Sequence, residues 1–558
     1  MGTIRVHRFS ESVEIRAAAF EERRAAGASV RIVNGAALSR TPPTANRTPA
    51  MPSDSGRTTS IWMATADVPD FPALAADTEA DVCVVGAGIA GLTVAYTLAR
   101  AGRRVIVLDD GPIGGGETGR TTAHLSDALD DRYYEIERVH GELGARMGAE
   151  SHAAAINRIE EIVKLERIDC DFARLDGYLF LAPDDDRKEL ERELEAAHRA
   201  SLSDVELLER VPVDFHDFGP CLRFPRQARF HVLKYLAGLA RAVVRAGATI
   251  HTRSHVAELS GAKDGASAFV KTDAGRTVKA RSLVVATNSP INDWVKMHTK
   301  QAPYRTYVVG LRVPDNAVRD ALYWDTGDPY MYVRLQHDEE GEVLVVGGAD
   351  HKTGQAHDMD ERFRRLETWA RAHFPMAGDV AYRWSGQVME PVDHMAFIGR
   401  NPGEDDVYVA TGDSGQGLTH GVMGAMLNAT LVTGGKSDWA ELYAPDRKPL
   451  KAAKNWVMEN STALKNLAEY VTLGELSSVN ELEPGQGAIT REGLNQIAAY
   501  RDANGNMHQH SAACTHLGCH LHWNSFESCW DCPCHGSIFG PEGQVLNAPA
   551  ISGLTPIS

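Results

Sequence analysis

Five of the eight cysteines lie between Cys514 and Cys534, interleaved with histidine in two boxes. The first reads Cys514-Thr-His516-Leu-Gly-Cys519 and the second Cys532-Pro-Cys534-His535-Gly-Ser537, with residues 517–531 between His516 and Cys532. Two thiolates and two imidazoles suit a pair of irons: thiolate stabilises ferric iron, and imidazole on the second iron raises its potential. Zinc is the other metal that a Cys/His quartet takes. The two additional cysteines inside the boxes, with Gly-Ser after the last histidine, favour the iron–sulfur cluster. Cys83, Cys170 and Cys221 are scattered and read as small buried hydrophobes. This is the distribution of a metal site at one end of a thiol-poor cytoplasmic chain, not of a secreted disulfide framework.

The second constellation is Gly86-Ala-Gly88-Ile-Ala-Gly91, which fits G-x-G-x-x-G. The first glycine permits a tight turn and the second lets the backbone approach a pyrophosphate. The third allows close helix–strand packing, and the helix N-terminus holds the negative charge. The motif follows a strand-like run, Asp81-Val-Cys-Val-Val85, opens a helix-like one, and is answered by Asp109 at the end of the next strand. An acidic side chain there can accept hydrogen bonds from a ribose, so the segment reads as a dinucleotide site.

These residues need scaffolds. A chain of 558 residues is long enough for two to four folded units. Strand 81–85, helix 89–101 and strand 104–108 form a βαβ start to a parallel sheet. Helical periodicity runs from about Arg132 to Arg167, near Asp186 to Ala200, and from Phe230 to Ala246. Tyr304–Val313, Met331–Leu335 and Val343–Val346 read as a separate β-rich layer, and Val407–Thr411 returns to a buried strand before a glycine turn and a helix. Residues 446–472 are Lys-rich and helical, with Leu450, Trp456, Val457, Leu464 and Leu467 expected on one packed face. From about Leu476 the texture changes to short strands and Gly/Pro turns. Residues 1–79 read as an extension without periodicity, mostly disordered, with order beginning near Ala80. The expected division is therefore 1–79, 80–436, 437–475 and 476–558.

Composition narrows the partners. Lys+Arg 58 against Asp+Glu 75 gives a net charge of −17, a field that repels phosphate backbones, so nucleic acid is not an expected partner. The longest apolar run, 82–99, is broken by glycines and reads as strand, turn and helix, so no integral membrane anchor is expected.

Gly114-Gly-Gly-Glu-Thr-Gly-Arg-Thr-Thr122 and Ala410-Thr-Gly-Asp-Ser-Gly-Gln-Gly-Leu-Thr419, together with Asp81 to Asp109, resemble the D-amino-acid oxidase/glycine oxidase superfamily of FAD enzymes. The resemblance covers roughly residues 80–436. It implies an α/β FAD-binding Rossmann-type domain with an interleaved β-rich substrate domain. It also implies FAD contacts from Gly86, Gly88, Ile89, Ala90, Gly91 and Asp109, and from Gly119, Arg120, Thr121 and Thr122. Val256 would lie by the adenine, with Ala286 and Thr287 at a strand end beside the FAD. Gly412, Gly415, Gly417, Leu418 and Thr419 would approach the isoalloxazine ring. Some relatives attach FAD through a cysteine near 385–395; none stands there in this chain, so non-covalent FAD is expected.

Residues 476–558 resemble a Rieske [2Fe–2S] domain, a small all-β unit. The resemblance implies Cys514, His516, Cys532 and His535 as cluster ligands and a Cys519–Cys534 disulfide tying the two loops, as in the electron-transfer type. Cys529 lies outside the pattern. Phe539 stands where respiratory Rieske proteins carry a tyrosine that donates to a cysteine sulfur, which implies a potential below theirs. The whole arrangement resembles bacterial FAD-dependent oxidoreductases with a C-terminal Rieske domain.

A flavin takes two electrons as a hydride from a C–H bond beside an amine or alcohol, while a Rieske cluster accepts them singly. The expected function is a cytoplasmic dehydrogenase acting on a small amine or amino acid. It would send electrons through the cluster to an external one-electron acceptor, such as a ferredoxin, a cytochrome or a quinone-linked protein. Two alternatives stand beside it: an oxygen-using oxidase with a structural or sensing cluster, and an electron carrier reduced by a protein partner. Arg334, in Tyr330-Met-Tyr-Val-Arg334, is placed to pair either with a substrate carboxylate or with an internal acid. His351 is a candidate acid/base or a structural histidine.

Overall fold

The computed structural model describes residues 55–263, 265–291, 297–448, 450–468, 476, 478–493 and 495–557. The first 54 residues of the expected extension lie outside the described residues. From residue 55 the chain is ordered, which corrects the expected start near Ala80. Ser60 caps the short helix Ile61–Thr65, whose Ile61 and Trp62 are fully buried. Ser60 Oγ donates to Gly119 O at 2.6 Å, and Trp62 Nε1 donates to Thr121 O at 2.6 Å. A single turn of helix has no stability of its own. It persists here because its two apolar side chains wedge under the 119–121 segment.

The expected βαβ unit forms the centre of a six-stranded sheet. In spatial order its strands are Phe397–Arg400, Val407–Thr411, Ser282–Val285, Val82–Val85, Val105–Leu108 and Thr249–His251. All are parallel except Phe397–Arg400, which pairs antiparallel with Val407–Thr411. Alternation along the strands supplies both faces. Val82, Val84, Val105 and Val107 pack with the helices Ile89–Arg100, Val232–Arg245 and Gly417–Val432. Cys83, Val85, Ile106 and Leu108 pack on a smaller four-stranded sheet through Val256, Val270 and Val278.

The β-rich layer is a second, nine-stranded sheet. Its long ladder joins Val380–Pro391, Gln301–Arg312, Gly341–Lys352 and Tyr332–Asp338, all antiparallel. The helix Tyr133–Glu166 occupies the expected long helical stretch, with a kink at Gly141, whose φ of +77° is left-handed. The C-terminal unit is all-β: a three-stranded sheet of Gly487–Glu492, Asn495–Arg501 and Met507–Ser511, and a four-stranded sheet running from His522–Asn524 to Val545–Asn547. Among the described residues, no helix is long and apolar enough to cross a membrane.

The connector helix, Ala453–Ala468, departs from its expected packing. Trp456, Val457 and Met458 are exposed, Val457 by 61%. The side chains of Leu464 and Leu467 lie outside the described residues. Among the described side chains, polar ones attach the helix. Glu459 pairs with Lys352 at 2.6 Å, Asn460 donates to Thr299 O at 2.9 Å, and Asn466 Oδ1 accepts from His520 N at 2.9 Å.

Candidate active site and iron–sulfur centre

A cavity of about 790 Å³ runs between the two large sheets. At the six-stranded sheet its wall is made by Gly86, Gly88, Ile89, Ala90 and Asp109, at the C-terminal ends of parallel strands, where ligands bind in such folds. Asp109 Oδ1 accepts from Gly111 N at 2.9 Å and Oδ2 accepts from Ala87 N at 2.5 Å. Burial raises its carboxyl above the usual range, and neighbouring Asp110 adds to the shift. Arg120, Thr121, Thr122 and Val256 also line the cavity, as do Ala286, Thr287, Gly415, Gly417, Leu418 and Thr419.

Three of the implied FAD residues shape turns instead of lining the cavity. A Cβ on Gly91 would stand 1.8 Å from Gly86 O, so this glycine lets the helix close on its own turn. Gly119 is pressed against Gly114 O and Met63 in the same way, and Gly412 has a left-handed φ of +74°. A glycine cradle at a helix N-terminus, with an acid at the end of the next strand, fits a dinucleotide. Gly91→Ala is expected to force turn and helix apart, costing about 1–3 kcal/mol or more. The measurement is the flavin-to-protein ratio after purification together with the melting temperature. Full flavin content would show that the turn can relax.

Arg120 lines the cavity, and its guanidinium, 1% exposed, is engaged by the C-terminal unit. Nη1 donates to Ser385 O at 2.7 Å and pairs with Glu527 of the C-terminal unit at 3.0 Å.

Arg334 does not reach the cavity. Its terminal and Nε donors go to Ala123 O (2.7 Å), Phe230 O (3.1 Å), Leu335 O (3.0 Å) and Gln336 Oε1 (2.5 Å), beneath the Trp62 ring. The reason is distance along a strand. Tyr332 lines the cavity, and two residues further, about 7 Å on, the same face has passed beyond its rim. Of the two roles open to Arg334, the internal structural one holds, with main-chain carbonyls in place of an acid. His351 is likewise displaced from the catalytic role. It adjoins Asp350, which lines the cavity, so its own side chain points to the opposite face. There Tyr307 Oη lies 2.9 Å from Nε2, and Nδ1 donates to Lys352 O at 2.6 Å. Burial, with the Arg362 charge, pushes its pKa down to about 4, so it is a neutral imidazole.

Sequence reasoning missed the acids and tyrosines of the cavity. Asp130, Asp350, Glu390 and Asp413 line it, with Tyr304, Tyr330 and Tyr332. Period-two alternation along Tyr304, Thr306, Val308 and along Gly386, Val388, Glu390 was the available signal, because each series lies on one face. Burial pushes Asp413 up to about 7.

The other face of this sheet carries the C-terminal unit. Arg305, between Tyr304 and Thr306, pairs with Asp531 at 2.8 Å. Gln387, between Gly386 and Val388, donates through Nε2 to Gly536 O at 2.9 Å, next to His535. Glu117, on the loop after the second strand, accepts from Gln387 N at 2.7 Å and from Asn547 Nδ2 at 2.9 Å.

The two cysteine/histidine boxes meet here. Cys519 and Cys534 form a disulfide, and the rings of His516 and His535 stand 5.1 Å apart, nearly perpendicular. Cys514 and Cys532 are buried neighbours whose side chains interact, and the Cys532 loop is closed by Cys532 N donating to Ser537 O at 2.9 Å. His535 Nδ1 is buried without a hydrogen-bond partner among the described residues, a donor atom fit for iron. The paired thiols of Cys514 and Cys532 and the paired rings of His516 and His535 supply a donor set that fits a [2Fe–2S] cluster, while the sulfurs that lie within 4.8 Å of one another are those of Cys519, Cys532 and Cys534. Cys529 is set apart, its Sγ 3.6 Å from Asp531 Oδ1. His298 bridges toward the cavity. Its ring lies 4.7 Å from that of His516 and 5.5 Å from that of His535. Gln301, three residues on, donates to the cavity-lining Thr411 Oγ1 at 3.1 Å.

Comparison with known proteins agrees with this architecture. The family of FAD dependent oxidoreductases matches residues 81–431, and the Rieske [2Fe-2S] domain family matches 473–557. This chain belongs to the FAD dependent oxidoreductase family and carries a C-terminal Rieske domain; its cofactors are FAD and a [2Fe–2S] cluster. It is 30% identical over 505 residues to the Rieske 2Fe-2S iron-sulfur protein YhfW of Bacillus subtilis, covering 89% of this chain and 97% of that one. Gamma-glutamylputrescine oxidoreductase of Escherichia coli is 29% identical over 393 residues, 68% of this chain and 89% of that protein. The crystal structure of glycine oxidase from Geobacillus kaustophilus superposes with a TM-score of 0.56 at 18% identity, over 66% of this chain and 99% of its own, a likeness of fold.

Proposed function

We propose that the protein is a dehydrogenase that oxidises a small amine or amino acid and passes the electrons through its Rieske centre to an external one-electron acceptor. The observation that carries this reading is the use of both faces of one sheet. Tyr304, Thr306, Gly386 and Val388 line the cavity, while the side chains of Arg305 and Gln387, alternating with them, hold the cluster unit, which itself borders the cavity at Val545, Asn547 and Ile551. Packed layers across a sheet face are about 10 Å apart, a spacing that supports transfer between the two centres without a domain movement.

Bound FAD supplies a hydride acceptor and the cluster a single-electron carrier. The substrate's part is the loss of the C–H beside nitrogen with its electron pair; the nitrogen lone pair closes the C=N bond and an N–H proton leaves. The chain's residues orient the amine, exclude water and receive that proton. Asp413 and Asp130, both raised by burial to about 7, are cavity carboxylates suited to exchanging a proton near neutrality. The thiol-poor composition outside the cluster boxes supports a cytoplasmic location.

The test is an anaerobic titration of amines and amino acids, read by flavin bleaching and by the EPR signal of the reduced Rieske cluster. One compound is expected to change both signals. Peroxide formed in air in step with substrate consumption, with the cluster staying oxidised, would favour an oxidase. Reduction only by a reductase protein would favour a carrier.

A further inference from the structure

The two ends of the cavity offer different groups to a ligand. The glycine turn and helix N-terminus suit the anionic dinucleotide, whereas Asp130, Asp350 and Glu390 line the far end. These acids come from three separate segments and converge with aromatic rings. Tyr330 Oη donates to Asp130 Oδ2 at 2.6 Å, Tyr332 Oη lies 2.6 Å from Thr306 Oγ1, and the two tyrosine rings are 5.2 Å apart. Asp350 Oδ1 is buried with no hydrogen-bond partner among the described residues. Burial pushes Asp130 up to about 7 and Asp350 up to about 6, and raises Glu390 with help from Asp131 and Asp130. Carboxylates gathered in this way cannot all ionise without a cation among them.

The protein supplies fewer cations than acids at this end. Among the described residues, the cavity is lined by two arginines and no lysine. Arg120 is engaged by Glu527 and Ser385 O, and Arg132 donates through both terminal nitrogens to Asp130 O and Asp325 O at 3.1 Å. His394 is paired with Asp131 at 2.7 Å. Arg132 is held by main-chain carbonyls, so a substrate carboxylate would enter a region where acids outnumber cations.

We propose that the substrate is a cationic amine without a carboxylate, of the linear diamine class, its ammonium held by Asp350 and Asp130 and its alkyl chain lying along the Tyr330 and Tyr332 rings. Tyrosine faces attract an ammonium as well as an alkyl chain, so rings and acids act together. This inference rests on the dehydrogenase reading of the same site and narrows its substrate.

The test uses the oxidised holoenzyme under anaerobic conditions, with 1,4-diaminobutane against 4-aminobutanoate, which replaces one ammonium by a carboxylate, and against glycine and L-proline. Calorimetric titration is expected to show the diamine binding about 30-fold or more tightly than 4-aminobutanoate, and Asp350→Asn is expected to lower diamine affinity by a similar factor at unchanged flavin content. Equal or tighter binding of 4-aminobutanoate overturns the proposal, and this wild-type comparison decides the matter even if the variant fails to fold. Flavin bleaching separates the two readings. Bleaching by an amino acid and not by the diamine leaves the dehydrogenase standing and removes this inference. No bleaching by any compound, while dithionite reduces both centres, removes both.

Discussion

A Cys532→Ser variant is expected to retain FAD and to bleach with substrate as the wild type does, yet to lose turnover with a one-electron acceptor by more than about 100-fold. Loss of an outer partner of a metal ligand already costs about 10–100-fold, and loss of a ligand exceeds that. The argument is one of ligand chemistry. Thiolate is a soft donor that holds ferric iron, and an alcohol is not deprotonated to replace it. The loop does not depend on this sulfur for its shape, because Cys532 N donates to Ser537 O at 2.9 Å and Gly536 N to Cys532 O at 3.1 Å. The disulfide Cys519–Cys534 also remains. Iron content, the EPR spectrum and anaerobic stopped-flow bleaching separate the half-reactions. Undiminished turnover with the one-electron acceptor would end the proposed electron route.

The second large effect concerns the junction of the two units. Glu527 is fully buried, and its Oε1 accepts from Arg120 at 3.0 Å, from Ser385 Oγ at 2.7 Å and from Thr58 Oγ1 at 2.6 Å. Three distant stretches of chain thus meet on one carboxylate. Burial opposes its charge, but the Arg120 and Arg305 guanidinium groups outweigh this and hold its pKa below the usual range. Glu527→Gln leaves the Arg120 cation buried without its counter-charge, a change worth about 3–5 kcal/mol. The sign in pH follows from the lowered folded value. The contribution is fully present above the ordinary carboxylate pKa near 4.3 and is lost as pH falls through the depressed one. Wild type and variant should therefore differ in melting temperature by a constant amount near neutrality and converge in acid. If the junction holds the cluster in place, transfer from reduced flavin to cluster also slows while substrate bleaching does not. An unchanged melting temperature would show that the pair is not what holds the units together.

The exposed apolar side chains of Trp456 and Val457 show where helical periodicity misled. An apolar stripe reveals which residues share a face, but among the described side chains the attachment is made by Glu459, Asn460 and Asn466, which carry no such pattern. Residues 55–79 misled in the opposite direction. Their composition resembles a tail, yet Trp62 and Ile61 fill a gap beneath the 119–121 turn.

What the sequence determined by itself was local. Gly86 to Gly91 and the boxes around Cys514 and Cys532 concentrate their chemistry within a few neighbouring residues, so spacing alone carries the turn, the helix start and the donor set. What the tertiary structure decided was direction. Asp350 and His351 are adjacent in the chain, but strand alternation sends one into the cavity and the other away from it. Arg334 and Tyr332 share a face, yet the cavity ends between them. Arg120 sits in the flavin segment, but a glutamate more than 400 residues later takes its charge. Facing, reach and pairing of that kind depend on which distant segments fold against a side chain, and no local spacing encodes them.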